Sequence, residues 1–109
     1  MANEGAGVYT SSFTDGQKQF EISYARGKLN GPYRRWAQNG QLILDCFYVE
    51  DVKEGRCKRY HENGILAEDA FYIDDKLEGE YSQYDKKGNL TMRAKFKGGE
   101  LVEDSLANK

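Results

Sequence analysis

One block of sequence recurs along this chain every 24 residues, and no insertion or deletion is needed to align the copies. Two columns of glycine follow this spacing, as do a column of aromatic residues and a column of leucines. The second glycine column holds Gly16, Gly40, Gly64 and Gly88. A repeat of this length indicates an array in which each unit packs mainly on its neighbours. We therefore predict one domain over residues 1–109, with repeats at about 7–30, 31–54, 55–78 and 79–102 and a frayed tail at 103–109.

The second glycine of each repeat ends a polar triplet such as Gln38-Asn39-Gly40. A three-residue hairpin loop consists of a type I turn followed by a left-handed residue, and glycine fits that last position best. Pairing outward from the turn sets Trp36 opposite Leu42, and the equivalent pairs follow one and two repeats later. The same count sets Arg34 opposite Leu44.

The second strand of each repeat alternates apolar and polar residues, for example from Leu42 to Tyr48. Such alternation is typical of an antiparallel sheet with one solvated face. The predicted fold is all-β: an antiparallel meander of 24-residue hairpins in a single elongated twisted sheet. About eight strands are expected, with a short last strand around Leu101-Val102.

A polar loop precedes the first glycine of each repeat, as in Glu50 to Glu54 before Gly55. If Tyr48 lies opposite Gly55, its ring can cover the bare glycine. Tyr33 then shares a face with the core, and a bulge near Arg34-Arg35 is needed to bring Trp36 to the same face.

The same register makes Cys46 and Cys57 direct cross-strand neighbours. Two cysteines are too few for a disulfide framework and lack the spacing of a metal site. The N-terminal residues show no signal-peptide pattern, so we expect a cytoplasmic protein with reduced thiols. Oxidation of this pair to a cross-strand disulfide is a hypothesis that a thiol count tests.

The charge balance disfavours some classes of partner. The net charge is −2 and the pI is about 5.4, whereas nucleic acids and anionic membranes usually need a basic surface. No apolar run is long enough to span a bilayer.

We find no pattern that predicts catalysis. The single histidine, His61, stands beside a turn and lacks a nucleophile partner with triad geometry. The acidic residues are scattered over loops and wet faces, and they do not match a calcium-binding loop. We expect no enzyme activity, no cofactor and no metal.

Three stretches carry a family resemblance: "GPYRRWAQNGQL", "GRCKRYHENGIL" and "GEYSQYDKKGNL". Their pattern of Gly, Tyr, Trp, Asn-Gly and Leu resembles MORN repeats, most closely the bacterial variant found in antitoxin-like proteins. The resemblance covers about residues 7–102 and implies an elongated β array without catalytic machinery. It also implies a protein-binding module, with an antitoxin or immunity role against a toxin domain as one interpretation. One departure is Cys57, which stands where other repeats carry Tyr.

An open sheet exposes a whole face, and Tyr and Trp are frequent interface anchors. Two sets of residues are therefore candidate protein-binding sites. The first is an aromatic row: Tyr33, Trp36, Tyr60 and Tyr84. The second is an apolar stripe on the nominally wet face: Ile43, Phe47, Phe71 and Ile73. The alternative for the row is that its rings only form the thin core. The alternative functions are a structural scaffold or self-assembly through edge strands, and, less favoured, association with a membrane surface.

Overall fold

A computed structural model describes residues 6–105 as one antiparallel sheet of 11 strands with no helix in that range. The strands are β1 (Ala6–Ser12), β2 (Lys18–Ala25), β3 (Lys28–Trp36), β4 (Leu42–Val49), β5 (Val52–Lys53), β6 (Gly55–Tyr60), β7 (Leu66–Ile73), β8 (Lys76–Leu77), β9 (Gly79–Tyr84), β10 (Leu90–Lys97) and β11 (Glu100–Ser105). The order β1-β2-β3-β4-β6-β7-β9-β10-β11 makes a meander, with β5 paired to β4 and β8 to β7. The predicted all-β meander is confirmed.

The sheet is a single layer. Its Cα atoms extend over 57 × 35 × 11 Å, and no large side chain of the described residues is fully buried. The buried apolar residues are all small: Ala37, Cys46, Ala67, Ala70 and Ala94. Larger rings remain half-buried because no second layer covers them. Both faces of the array therefore remain accessible to a partner.

The polar triplets form the predicted turns. In the second repeat the N–H of Gly40 donates to the carbonyl of Ala37 over 2.9 Å, and the N–H of Ala37 donates to the carbonyl of Gln41 over 2.8 Å. Gly40 has a φ of 90°, which is the left-handed conformation that glycine adopts without strain. Trp36 faces Leu42, and the equivalent pairs Tyr60–Leu66 and Tyr84–Leu90 form in the next repeats.

The register shifts between Arg35 and Trp36, one position beyond the expected bulge. Ile43 is the extra residue on β4. Arg34 consequently faces Asp45 rather than Leu44, which instead faces Arg35. The predicted Arg34–Leu44 pair is therefore wrong, because the bulge shifts every pair beyond it by one residue.

The connections between repeats are tighter than the expected polar loops. Val49 pairs with Val52, so only Glu50 and Asp51 form the turn. Both have positive φ, 49° and 70°, which is the signature of a type I′ turn. Asp74-Asp75 and Gly98-Gly99 repeat this geometry 24 and 48 residues later.

These type I′ turns are joined to the preceding turns by hydrogen bonds, along the side of the sheet where the strands end. The N–H of Asp75 donates to the carbonyl of Lys53 over 2.9 Å, and the N–H of Lys53 donates back to Oδ1 of Asp75 over 2.9 Å. Asp51 makes the same two contacts with Leu29, at 2.8 and 2.7 Å. The turn of each repeat thus anchors the preceding repeat.

A second series of hydrogen bonds joins the three-residue turns at the opposite ends of the strands. Nδ2 of Asn39 donates to the carbonyl of Glu62 over 3.1 Å, and Nδ2 of Asn63 donates to the carbonyl of Lys86 over 3.0 Å. Both partners lie in the turn of the next repeat. The two series of hydrogen bonds explain in physical terms why successive repeats keep one spacing.

The proposed cover of Gly55 by Tyr48 is wrong. Tyr48 pairs across the hairpin with Gly31, and nothing lies within 4 Å of the position that a Cβ on Gly55 would take. Gly55 has a φ of 90°, so the backbone conformation is what favours glycine there. Ring cover does occur at Gly7, where the hydroxyl oxygen of Tyr24 lies 3.2 Å from the Cβ position.

Cys46 and Cys57 are joined by a disulfide across β4 and β6, with their Cα atoms 4.1 Å apart. Their predicted position as cross-strand neighbours is confirmed. The expectation of reduced thiols is wrong for this structure, in which the described residues include no free cysteine.

The C-terminal strand is longer than expected. β11 pairs with β10 from Glu100 to Ser105, with a register shift before Glu103. Residues 103–105 of the predicted tail therefore belong to the sheet, and residues 106–109 lie outside the described residues.

Candidate functional site

The two faces of the sheet carry different side chains. The tyrosine face holds Tyr33, Cys46, Tyr48, Tyr72 and Tyr81, which the register places on one side. The groove face holds the alternate residues of the same strands, including Asp45, Phe47, Asp69 and Phe71. Alternation along β3, β6 and β9 places Trp36, Tyr60 and Tyr84 on the groove face too, so the predicted move of Trp36 to the face of Tyr33 by a bulge is wrong.

The structure therefore divides both predicted sets. Trp36, Tyr60 and Tyr84 lie together on the groove face, but Tyr33 lies on the tyrosine face opposite Cys46. Phe47, Phe71 and Ile73 lie together on the groove face, with Phe47 44% and Phe71 38% exposed. Ile43 lies apart from them, in a cavity with Arg35, Leu44 and Arg59. The bulged position of Ile43 is the reason, since it breaks the alternation along β4.

The groove face has two cavities related by one repeat. The first, of about 420 Å³, lies between the second and third repeats, and the second, of about 450 Å³, lies between the third and fourth. Nine lining positions are equivalent in the two cavities, and five of these pairs keep the residue type: Asp45 and Asp69, Phe47 and Phe71, Glu54 and Glu78, Gly55 and Gly79, and Tyr60 and Tyr84. Each cavity thus has a Phe at one end and a Tyr at the other.

Ion pairs are found among the residues that line the cavities. Arg34 donates to Asp45 over 3.3 Å and to Glu21 over 3.2 Å, and Arg56 donates to both oxygens of Asp69 over 3.2 and 3.3 Å. Lys18 lies over the ring of Trp36, with its Nζ 4.9 Å from the ring centre. These groups are partly exposed, so each pair contributes about 0–1 kcal/mol to stability. They set the charges of Arg34 and Arg56 against those of Asp45 and Asp69.

The tyrosine face is packed more closely. The rings of Tyr33 and Tyr48 lie 5.4 Å apart, and Tyr81 meets Phe96 edge-on at 5.9 Å. The hydroxyl of Tyr81 donates to Glu68 and accepts from Nε2 of Gln83 over 2.7 Å. Burial, followed by the bond to Glu68, raises the pKa of Tyr81. Burial is also the main cause that raises the pKa values of Tyr48 and Tyr72. All three phenols therefore remain neutral near pH 7.

The geometry offers no candidate catalytic group among the residues that we singled out. Nε2 of His61 lies 2.9 Å from the carbonyl of Tyr84, so this nitrogen carries a proton and donates it to the backbone. Within residues 6–105, no cluster of three or more His, Cys, Asp or Glu residues is placed to hold a metal ion. No helix in that range is long and apolar enough to cross a bilayer.

Sequence reasoning missed the type I′ turns and the cavity pair. Gly27 and the Gly98-Gly99 dipeptide were the available turn signals, because glycine favours positive φ. Glu50-Asp51 and Asp74-Asp75 gave no such signal. The cavities depend on which side chains of successive strands come together across the sheet, and local sequence does not show that.

Comparison with known proteins agrees with the repeat structure. No curated protein matches the chain significantly. A family model described as the MORN repeat variant matches residues 53–74 and 77–97, two segments whose starts are one 24-residue period apart. MORN repeats are generally non-catalytic modules for interaction with proteins or membranes. Residues 53–74 and 77–97 of this chain are thus similar to repeats of the MORN variant.

Proposed function

We propose that this chain is a non-catalytic module that binds another protein through its groove face. The observation that carries the proposal is the exposure of Phe47 and Phe71 beside two equivalent cavities on a sheet without a covering layer. Exposed apolar patches on a folded chain commonly mark contact surfaces. Large rings that a partner can bury are the usual anchors of such interfaces.

The predicted rings fit this role in different ways. Tyr60 and Tyr84 line the cavities, and Trp36 continues their row by one repeat. All three are also cross-strand partners of leucines on the neighbouring strand, which favours the alternative that they are core residues. Phe47 and Phe71 are therefore the cleaner probes of binding. Tyr33 lies on the opposite face and is not proposed to contact the same partner.

The test begins with affinity capture of a partner from native lysate by the tagged chain. The dissociation constant of the purified partner is then measured by calorimetry for the wild type and for Phe47→Ser/Phe71→Ser. Leu101→Ser is the matched control, because Leu101 is 52% exposed on β11 at the end of the array. Weaker binding only in the double Phe variant supports the proposal, and equal binding by all three proteins rejects it.

A toxin domain is the more specific partner that we propose, with an antitoxin or immunity role. The acidic pI would suit a basic toxin, although a net charge of −2 gives little steering. The discriminating result is protection of a toxin's substrate by the wild type but not by the double Phe variant. We also propose a cytoplasmic location, which cell fractionation tests. The disulfide weighs against it, because such bonds persist mainly in oxidising compartments.

Self-association is a second candidate function, favoured by β1. This edge strand, Ala6–Ser12, carries no charged residue, and Val8 and Tyr9 are more than half exposed. Edge strands without charge or proline are templates for pairing with another chain. β11 at the other end has acidic residues that oppose such pairing. Sedimentation mass that rises with concentration, and that Val8→Lys abolishes, would support assembly through β1.

A further inference from the structure

The distance between the two cavities on the groove face can be compared with the repeat distances of regular peptide conformations. Phe47 lies on β4 and Phe71 on β7, with β6 between them. Adjacent strands are about 4.8 Å apart, so the backbone positions of the two residues are about 9.6 Å apart across the sheet. Arg56 occupies the strand between them, paired with Asp69. A ligand that uses both sites must therefore contact the face at this interval and clear Arg56 between the contacts.

Three regular peptide conformations present different intervals. An extended strand presents same-side residues about 6.8 Å apart, which does not fit the spacing. An α-helix presents residues seven apart at about 10.5 Å, but its intervening turn would press apolar side chains onto Arg56. A polyproline II helix rises about 3.1 Å per residue, so every third residue recurs at about 9.3 Å on one side. Its other residues point away, which leaves room for the Arg56–Asp69 pair.

The backbone and the charges of the groove agree with that choice. Strands β4, β6 and β7 have sheet partners on both sides, so a peptide cannot add to their hydrogen-bond ladder. A polyproline II peptide needs no ladder, because it has no internal hydrogen bonds and its backbone is solvated. Four cationic and five acidic side chains line the two cavities, and the closest are paired with each other. These charges nearly balance, so the groove has no excess of cations for a polyanion.

We propose that the groove face binds a proline-rich segment in the polyproline II conformation, with prolines three residues apart seated beside Phe47 and Phe71. The inference rests on the proposed protein-binding function and names the partner's chemistry. Aromatic rings that line a groove are a recurring way to bind such segments, because each proline ring packs flat on a side chain. Pro32 and Tyr60 complete the first cavity, and Tyr84 completes the second.

Two synthetic peptides test the spacing. The first repeats Pro-Ala-Ala, which places prolines at every third residue. The second repeats Pro-Ala-Ala-Ala, which has the same residue types but no two prolines three apart. Binding of each fluorescently labelled peptide is measured by anisotropy against wild type, Phe47→Ser/Phe71→Ser and the control Leu101→Ser. Circular dichroism confirms that each variant remains folded.

The expected result is that the three-residue peptide binds wild type and the control equally. Loss of two anchor rings, or of the matching spacing, should weaken binding at least about tenfold, the scale of a single interface hot spot. Absence of binding, or equal affinity for both peptides or for the double Phe variant, overturns the proposal. If the captured protein partner still loses affinity for the double Phe variant while the peptides fail, the protein-binding function stands and only the ligand class is wrong.

Discussion

The turn at Asp74-Asp75 allows a test of how the repeats are held in register. Asp75 has a φ of 71°, where most side chains are strained, and its Oδ1 accepts the N–H of Lys53 from the preceding repeat over 2.9 Å. Asp75→Ala removes the bond and leaves a β-carbon in the left-handed conformation. The bond contributes about 0.5–1.5 kcal/mol, and the left-handed conformation costs alanine about 1–2 kcal/mol. Because aspartate itself tolerates this conformation only partly, we expect a loss of about 2 kcal/mol in the free energy of unfolding.

Two further substitutions separate the contribution of the hydrogen bond from that of backbone strain. Asp75→Gly also loses the bond but removes the strain, so its effect should lie within about 0.5 kcal/mol of wild type. Asp75→Asn keeps an oxygen acceptor and tolerates positive φ, so it should also remain close to wild type. The chain already has glycine at the equivalent position 99, where the backbone bond to Leu77 persists at 3.0 Å.

Urea unfolding followed by circular dichroism measures these differences, provided that the m value stays constant. For a domain of this size, about 2 kcal/mol corresponds to a fall in Tm of roughly 10 °C. Two results would contradict these expectations: Asp75→Gly destabilised as much as Asp75→Ala, or Asp75→Ala as stable as wild type. The first result would remove the role of backbone strain, and the second would remove that of the hydrogen bonds between turns.

Three other perturbations should change stability in defined ways. Reduction of the Cys46–Cys57 bond, which spans 11 residues, should lower the free energy of unfolding by at most about 3 kcal/mol from loop entropy, measured by urea unfolding with and without reductant. An unchanged midpoint would contradict this. Gly64→Ala should cost about 1–2 kcal/mol, because φ is 92° there and the new Cβ would lie 3.1 Å from Gln41; thermal unfolding equal to wild type would contradict it. Raising the pH above 10 should destabilise the fold, because the pKa values of Tyr48, Tyr72 and Tyr81 are raised in the folded state. The stability that these phenols contribute is fully present below the ordinary pKa of 10.0 and is lost as the pH rises through the folded-state values. A Tm that stays constant from pH 9 through this range would contradict the burial of these phenols.

The sequence predicted those features that depend on local turn chemistry and on alternation. The triplet ending in Gly40 predicted its turn, the turn predicted the Trp36–Leu42 pair, and the strand register predicted the contact of Cys46 with Cys57. Each follows from contacts close to the turn or from the two-residue alternation of a strand. Both can be predicted from local sequence.

The candidate site was harder to predict because it depends on which strand carries a bulge. Plain alternation along β3 leaves Trp36 on the face opposite Tyr33, whereas we expected a bulge to bring the two rings to one face; the extra residue, Ile43, lies instead on β4. The type I′ turns at Glu50-Asp51 and Asp74-Asp75 use residues that usually avoid positive φ. Bonds from neighbouring repeats stabilise those conformations, and such contacts are not visible in local sequence.

We propose that the groove face, through Phe47 and Phe71, is the surface that binds a protein partner. The most direct test is calorimetric titration of the captured partner against wild type, Phe47→Ser/Phe71→Ser and Leu101→Ser, after each variant is shown to be folded. We expect affinity at least about tenfold weaker for the double Phe variant and unchanged for Leu101→Ser. Equal affinity for all three folded proteins would contradict it and would place the binding surface elsewhere on the array.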